Sequence, residues 1–387
     1  MDGSNGRERG HMLVTGGVGF IGTNVVHRLV RSGASVVVLD NFSRPGVEQN
    51  ARWLSSELGE RVKIVRGDTR DRALVLDLMR GARQVFHFAA QVAVTSSLLD
   101  PLEDFEVNAH GTLNVLEAIR RQTEPPSLLY TSTNKVYGAL PMLELRQEPT
   151  RYVPVDPTIA ARGVSEHFDL DFHSPYGCSK GAADQYVIDY ARSYGIPALV
   201  FRMSCIYGPH QCGNEDQGWV AHFLKQALTR RAITLYGDGL QVRDVLFVDD
   251  LVEAMMRAQA NATRLSGQAF NIGGGPSNTT SLVELLDRIG TLTGEVPEVR
   301  FEPTRVGDQR YYVSDVSRFA RATGWQPSID VAQGVSALLS WLSSTLSKTS
   351  DQHPEQVVAS RAQRRTASRA PQTSEGEPRV PANSEAI

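Results

Sequence analysis

The sequence predicts an α/β fold: a doubly wound parallel sheet with a smaller α/β lobe. Three observations predict it. Short apolar runs alternate with stretches of helical periodicity. The runs are continuous rather than alternating, which suits strands buried on both faces. A glycine cluster joins the first run to the first helical stretch.

The elements follow in order. His11–Thr15 reads as a buried strand, then Val25, Val26, Leu29 and Val30 mark a helix that Gly33 ends. Strands are expected at Ser35–Asp40, Val62–Val65, Gln84–Ala89, Leu128–Ser132 and Pro197–Arg202, with helices between most of them. After about Tyr207 the pattern loosens. A helix at Trp219–Leu228, a strand-turn-strand region at Ile233–Val248 and a helix near Leu251–Gln259 are expected. Ala269–Gly273 reads as a returning strand. Ser281 and Glu284 have capping-box spacing before a helix at Ser281–Thr291. We expect residues 1–10 to be a flexible tail, 11–205 mainly a dinucleotide-binding domain, 206–346 mainly the smaller lobe with interleaved segments, and 347–387 a disordered tail rich in polar residues.

Composition narrows the function. The chain has 387 residues, 41% hydrophobic and 21% charged, as in an ordinary soluble globular protein. A net charge of −3 gives no overall pull toward nucleic acid or membrane. Cys178, Cys205 and Cys212 are odd in number and lack CxxC spacing, so neither a disulfide framework nor a zinc site is expected. His210, Cys212 and Asp216 match no standard ligand spacing, and no metal is expected. Reduced thiols point to the cytoplasm. No apolar run reaches the roughly eighteen residues of a membrane span, and Met1–Gly10 does not read as a secretory signal.

Gly16, Gly19 and Gly22 are spaced G-x-x-G-x-x-G between strand and helix. The first permits a tight turn, the second lets a pyrophosphate approach the backbone, and the third lets helix and strand pack closely. The pyrophosphate then meets the free N–H groups of a helix N-terminus. Asp40 ends the second strand eighteen residues after Gly22. A carboxylate there accepts from ribose hydroxyls and repels a 2′-phosphate, so a Rossmann-type NAD site is expected rather than an NADP site. Arg44, close by, works against that preference, since an arginine can meet a phosphate. Asp68 either meets the adenine amino group or is a turn carboxylate.

Tyr176 and Lys180 have the Tyr-x-x-x-Lys spacing, one helical turn apart on one face. An ammonium there should lower the tyrosine pKa and fit the phenol for general-base work on a hydroxyl. Thr131–Thr133 supplies hydroxyls at the end of the fifth strand. Thr133 is expected to face the substrate and Ser132 the cofactor.

With these residues the sequence resembles the extended short-chain dehydrogenase/reductase family, and within it the CDP-paratose 2-epimerases, over about Met12 to Ser344. The segments Ser132–Gly138, Leu170–Tyr186, Asp216–Val220, Gln241–Leu246 and Asp308–Arg310 carry the likeness. It implies NAD-dependent epimerisation at C2 of a CDP-linked dideoxyhexose through a 2-keto intermediate. It implies Thr133, Tyr176 and Lys180 as the catalytic set. The resemblance also implies cofactor contacts from Phe20, Ile21, Asn41, Ser43, Arg44, Ala89, Gln91, Asn108 and Met203, beside Gly16, Gly19, Gly22, Asp40, Asp68 and Ser132. It implies substrate contacts from Thr95, Thr133, Val220, Arg243, Arg305 and Asp308, the two arginines on the diphosphate; a surface salt bridge is the other reading of each. Cys205 stands where many relatives carry Asn or Ser. A homodimer or homotetramer is implied, paired through two helices of the dinucleotide domain.

Three other readings are open. Relatives that act as 4,6-dehydratases place acidic residues right after the threonine, and the resemblance disfavours that reading because Asn134 and Lys135 follow Thr133 here. A 4-epimerase of another nucleotide sugar uses the same Thr/Tyr/Lys logic. A non-catalytic NAD-binding scaffold is the distant third.

Overall fold

A computed structural model describes residues 10–352, Val296 and Val306 excepted. Residues Met1–Trp341 form one compact unit and Leu342–Ile387 a second. In the second, the described residues are the end of the helix Val331–Gln352. The disordered tail expected from residue 347 is therefore helical as far as Gln352, and its remainder, like the expected tail over residues 1–9, lies outside the described residues.

Seven parallel strands make the central sheet of the first unit: His11–Thr15, Val36–Asp40, Val62–Arg66, Ala82–His87, Ser127–Thr133, Ala198–Met203 and Ala269–Ile272. Numbered one to seven along the chain, they lie in the spatial order 7-6-5-4-1-2-3. Strand order reverses between the first and fourth, so the crevice beyond their carboxyl ends is where a doubly wound sheet takes its ligand. The helix Phe20–Arg31 starts in that crevice and buries Val25, Val26, Leu29 and Val30 against the sheet. Its chain reverses at Gly33, whose φ of +95° suits a residue without a Cβ and whose N–H reaches the Val30 carbonyl at 2.9 Å.

The strands Ile233–Tyr236 and Val242–Phe247 do not pair with each other, so the expected strand-turn-strand is no hairpin. The first pairs with Val299–Glu302. The second runs parallel to Cys205–Tyr207 and to Tyr311–Tyr312, and antiparallel to Thr279–Ser281. This carries Arg243 and the turn before Tyr311 toward the carboxyl ends of the sheet strands. The capping box forms as expected: Glu284 N–H donates to Ser281 Oγ at 3.2 Å, and Ser281 N–H to Glu284 Oε2 at 2.9 Å.

Candidate active site

The glycine loop is shaped by close approach. Gly16 has φ of +67°, and a Cβ there would stand 2.7 Å from the Ala89 nitrogen. A Cβ on Gly22 would run into the Gly16 carbonyl oxygen. No side chain caps the helix start at Gly19, and its first turn, with Phe20 and Ile21, has no acidic residue. Free N–H groups and the dipole there suit a diphosphate. Ser132 Oγ is buried at the end of the fifth strand and makes no hydrogen bond. An NAD fits this donor set and this cradle.

Asp40 accepts from Val18 N–H at 3.1 Å and Phe42 N–H at 2.9 Å, and burial raises its carboxyl pKa. It therefore holds the glycine loop from the end of the second strand. Arg44 is half-buried, with its charge felt at Cys212 and Tyr176. Asp68 is gripped by Arg70, at 2.9–3.0 Å, and by Asn41 Nδ2 at 2.9 Å. The Arg70 bonds hold its carboxyl pKa down at about 2. Asn41 also accepts from Ser43 N–H at 3.0 Å.

Below the loop lies a buried polar chain that the sequence did not reveal. Ala89 N–H donates to Thr15 Oγ1 at 3.3 Å, and Thr15 Oγ1 meets His87 Nδ1 at 2.6 Å. His87 Nε2 meets Thr112 Oγ1 at 2.9 Å, whose proton goes to the Asn108 carbonyl at 2.6 Å. This order assigns the proton of a neutral His87 to Nε2. Asn108 lies in the π-helical turn Glu106–His110. Its Oδ1 accepts from Gln91 N–H at 2.9 Å, and its Nδ2 donates to Ser179 Oγ at 3.0 Å and to Asp104 Oδ1 at 3.2 Å. Ser179 donates in turn to Asp104. A π-turn thus clips the segment at Gln91 to the helix that bears Tyr176.

That helix is Ser174–Tyr194. Its buried stripe at four-residue spacing is Tyr176, Lys180 and Asp184. Thr133 faces the Tyr176 phenol from the fifth strand, with Met203 of the sixth as its register partner. Tyr176 N–H donates to Ser97 Oγ at 3.2 Å. The tyrosine pKa departs from expectation. Burial pushes it up to about 12, with Thr133 and Arg44 pulling the other way. Lys180 does not counter that rise. Its ammonium donates to the Thr131 carbonyl at 2.6 Å and lies 4.3 Å from the Tyr130 ring centroid, and burial brings it down to about 7. The i to i+4 spacing gave the face correctly and the local dielectric incorrectly.

Among the residues expected to meet substrate, Thr95 Oγ1 is buried and unbonded, and Val220 is buried in the helix Trp219–Leu228. Arg243 donates to Asp308 Oδ1 at 2.6 Å. Arg305 stands 3.7 Å over the Tyr236 ring and pairs with Asp216 at 3.3 Å. Asp308 N–H closes a turn onto the Arg305 carbonyl at 3.2 Å, so both residues sit on one loop. Cys205 lies beside Arg243 and Lys135, and accepts from Trp219 Nε1 at 3.5 Å. Sequence reasoning missed Lys135 as a site residue, and Gln309, which receives Asn134 Nδ2 at 3.1 Å. All three cysteines are free. Among the described residues no helix is long and apolar enough to cross a membrane.

The NAD dependent epimerase/dehydratase family matches residues 12–273. The CDP-paratose 2-epimerase of Salmonella typhi is 42% identical over 342 residues, covering 86% of this chain and 99% of the relative. The dTDP-glucose 4,6-dehydratase of Mycolicibacterium smegmatis is 32% identical, with 85% and 92% covered. Among solved structures, the UDP-glucose 4-epimerase of Thermus thermophilus in complex with NAD superposes at a TM-score of 0.71. It is 32% identical, with 86% and 98% covered.

Proposed function

The chain belongs to the NAD dependent epimerase/dehydratase family, and from that premise we propose that it inverts C2 of a CDP-linked dideoxyhexose, converting CDP-paratose to CDP-tyvelose. One observation carries the choice of chemistry. Thr133 meets Tyr176 at the end of the fifth strand, and Asn134 and Lys135, not a carboxylate pair, come next. Hydroxyl oxidation and ketone reduction need the phenol; loss of water would need further acid and base groups. The similarity to the Salmonella typhi enzyme, over 99% of that relative and 86% of this chain, supports the substrate.

NAD, when bound, supplies the acceptor and donor of hydride. The chain does the rest. Thr133 orients the C2 hydroxyl, Tyr176 takes its proton and later returns one to the same oxygen, and Lys180, held on the Thr131 carbonyl, supports the floor of the site one turn further along the helix. Gly16, Gly19, Phe20, Ile21 and Gly22 would cradle the diphosphate of NAD, and Asp40 its adenosine ribose. Asn41, Ser43, Arg44, Asp68, Ala89, Gln91, Asn108, Ser132 and Met203 would line the rest of it. Thr95, Val220, Arg243, Arg305 and Asp308 would line the nucleotide sugar. No net redox change results, so the enzyme is an isomerase.

We place the reaction in the cytoplasm, where free thiols persist. The functional form is a homodimer or a dimer of dimers, for Leu98, Leu99, Leu102 and Phe105 lie exposed beside the helix of Tyr176.

Proton NMR of the purified protein with CDP-paratose, beside CDP-glucose and UDP-glucose, in D₂O without added NAD, tests the reading. Inversion at C2 with the original hydrogen retained is expected. Inversion at C4 of UDP-glucose alone would move the protein to 4-epimerisation.

A further inference from the structure

One carboxylate in the substrate cleft serves two cations. Lys135 Nζ donates to Asp308 Oδ1 at 3.3 Å and to the Gly307 carbonyl at 3.2 Å. Arg243 Nη2 donates to that same Oδ1 at 2.6 Å. The third neighbour, Cys205, is neutral, its thiol pushed up by burial. Asp244, whose charge is felt at Cys205, is already engaged by Ser204 and by Gly275 N–H at 3.1 Å. Burial lowers the Lys135 pKa, and the Asp308 carboxylate opposes that fall. With Lys135 protonated, the cluster of Lys135, Arg243 and Asp308 carries one formal positive charge in excess. Side-chain exposures of 22%, 8% and 27% keep water from offsetting it fully. Such a pocket is matched by an anion with several oxygens.

Its position relative to the reacting centre adds the second half. Lys135 N–H donates to Thr133 Oγ1 at 3.2 Å, so the ammonium springs from the residue whose backbone holds the catalytic hydroxyl. In a hexose joined to diphosphate at C1, C2 is the carbon beside the ester and C4 stands across the ring. The Lys135 side chain runs from that backbone contact to the turn at Gly307 and Asp308, so a diphosphate held at its ammonium would lie within one lysine side chain of Thr133, which favours C2 over C4 at that hydroxyl.

We infer that Lys135 is a specificity-determining residue: with Arg243 it clamps the substrate diphosphate beside Thr133 and so seats C2, rather than C4, against Thr133 and Tyr176. Asp308 holds the two cations in place and competes with the diphosphate for them. This rests on the proposed reading of the cleft as a nucleotide-sugar site.

Titration calorimetry on the full chain carrying NAD tests it, with CDP, UDP, inorganic pyrophosphate and cytidine as probes. Lys135→Met should weaken CDP by about ten-fold or more and leave cytidine unchanged. Lys135→Arg should restore most of the loss, and Asp308→Asn should tighten CDP, an opposite sign that no loss of folding imitates. In turnover, Lys135→Met should raise KM more than it lowers kcat. CDP affinity unchanged in Lys135→Met, or kcat falling with affinity intact, overturns the clamp. C4 inversion by the wild type, with diphosphate affinity still lost in Lys135→Met, overturns the seating of C2. UDP bound in place of CDP, and weakened by Lys135→Met, leaves the clamp standing and refutes the CDP assignment. A wild type that binds no diphosphate at all refutes both.

Discussion

Arg202 and Asp184 form a two-pronged ion pair inside the protein, Nε to Oδ2 at 2.9 Å and Nη2 to Oδ1 at 3.0 Å. Asp184 is the third member of the stripe that begins with Tyr176 and Lys180, and Arg202 lies on the sixth strand. The pair therefore fixes the height of the helix Ser174–Tyr194 over the sheet. Arg202 Nη1 also donates to the Tyr137 hydroxyl at 3.2 Å, which donates to Asn271 Oδ1 at 2.7 Å. Asp184→Ala would leave the guanidinium buried without its counter-charge, at a cost of about 3–5 kcal/mol. Urea unfolding should show that loss, and Asp184→Leu combined with Arg202→Met should recover most of it. A single variant as stable as the wild type would mean the pair does not anchor the helix.

Tyr176→Phe removes the proposed proton carrier and leaves the glycine loop, Asp40 and the Asn108 clip untouched. Turnover should fall by at least about a hundred-fold. Nucleotide released on denaturing the variant should match the wild-type amount. Near-normal rates would show that another group moves the proton.

The sheet was legible because burial on both faces writes itself into sequence as continuous apolar runs. Six expected strands and the returning strand at Ala269 all form. The glycine turn was legible because close backbone approach leaves room for one residue type, as at Gly16. The Tyr176–Lys180 face was legible from helical spacing. What spacing does not carry is the medium around a charge. The upward shift of Tyr176 comes from burial, which depends on what packs over it from distant segments. The same holds for His87, for Asp104 on Ser179, and for Lys135, whose partners Gly307 and Asp308 lie far along the chain. Each reads in sequence as an isolated polar residue; contact between remote segments gives it a role.

His87 should make the protein sensitive to acid. Burial, joined by the nearby Lys180, lowers its pKa to about 3. In the unfolded chain it takes a proton near 6.5. Between those values the unfolded state binds one proton more, so stability falls as pH drops through the ordinary histidine range and goes on falling to about 3. The full loss is on the order of 5 kcal/mol. His87→Gln should be less stable than the wild type at neutral pH yet have a shallower slope between about pH 6.5 and 4. Equal slopes in urea titrations across that range would exclude His87 as the source.

Leu99 and Leu102 are 88% and 78% exposed on the helices Val94–Leu99 and Pro101–Phe105. Leu98 and Phe105 extend the patch, and Tyr186 and Tyr194 are exposed on the neighbouring helix Ser174–Tyr194. An apolar face of this kind is costly in water, and a second copy presenting the same surface would cover it, as the proposed dimer requires. Light scattering of the wild type should give twice or four times the monomer mass. Leu99→Asp with Leu102→Asp should bring it to the monomer mass. The split should also reach the chemistry, because Ser97 on the first of these helices accepts the Tyr176 backbone N–H. Loosening that helix frees the start of the one that carries Tyr176, so turnover should fall in step with dissociation. A wild type already at monomer mass would refute the interface, and full activity in a monomeric variant would refute its link to Tyr176.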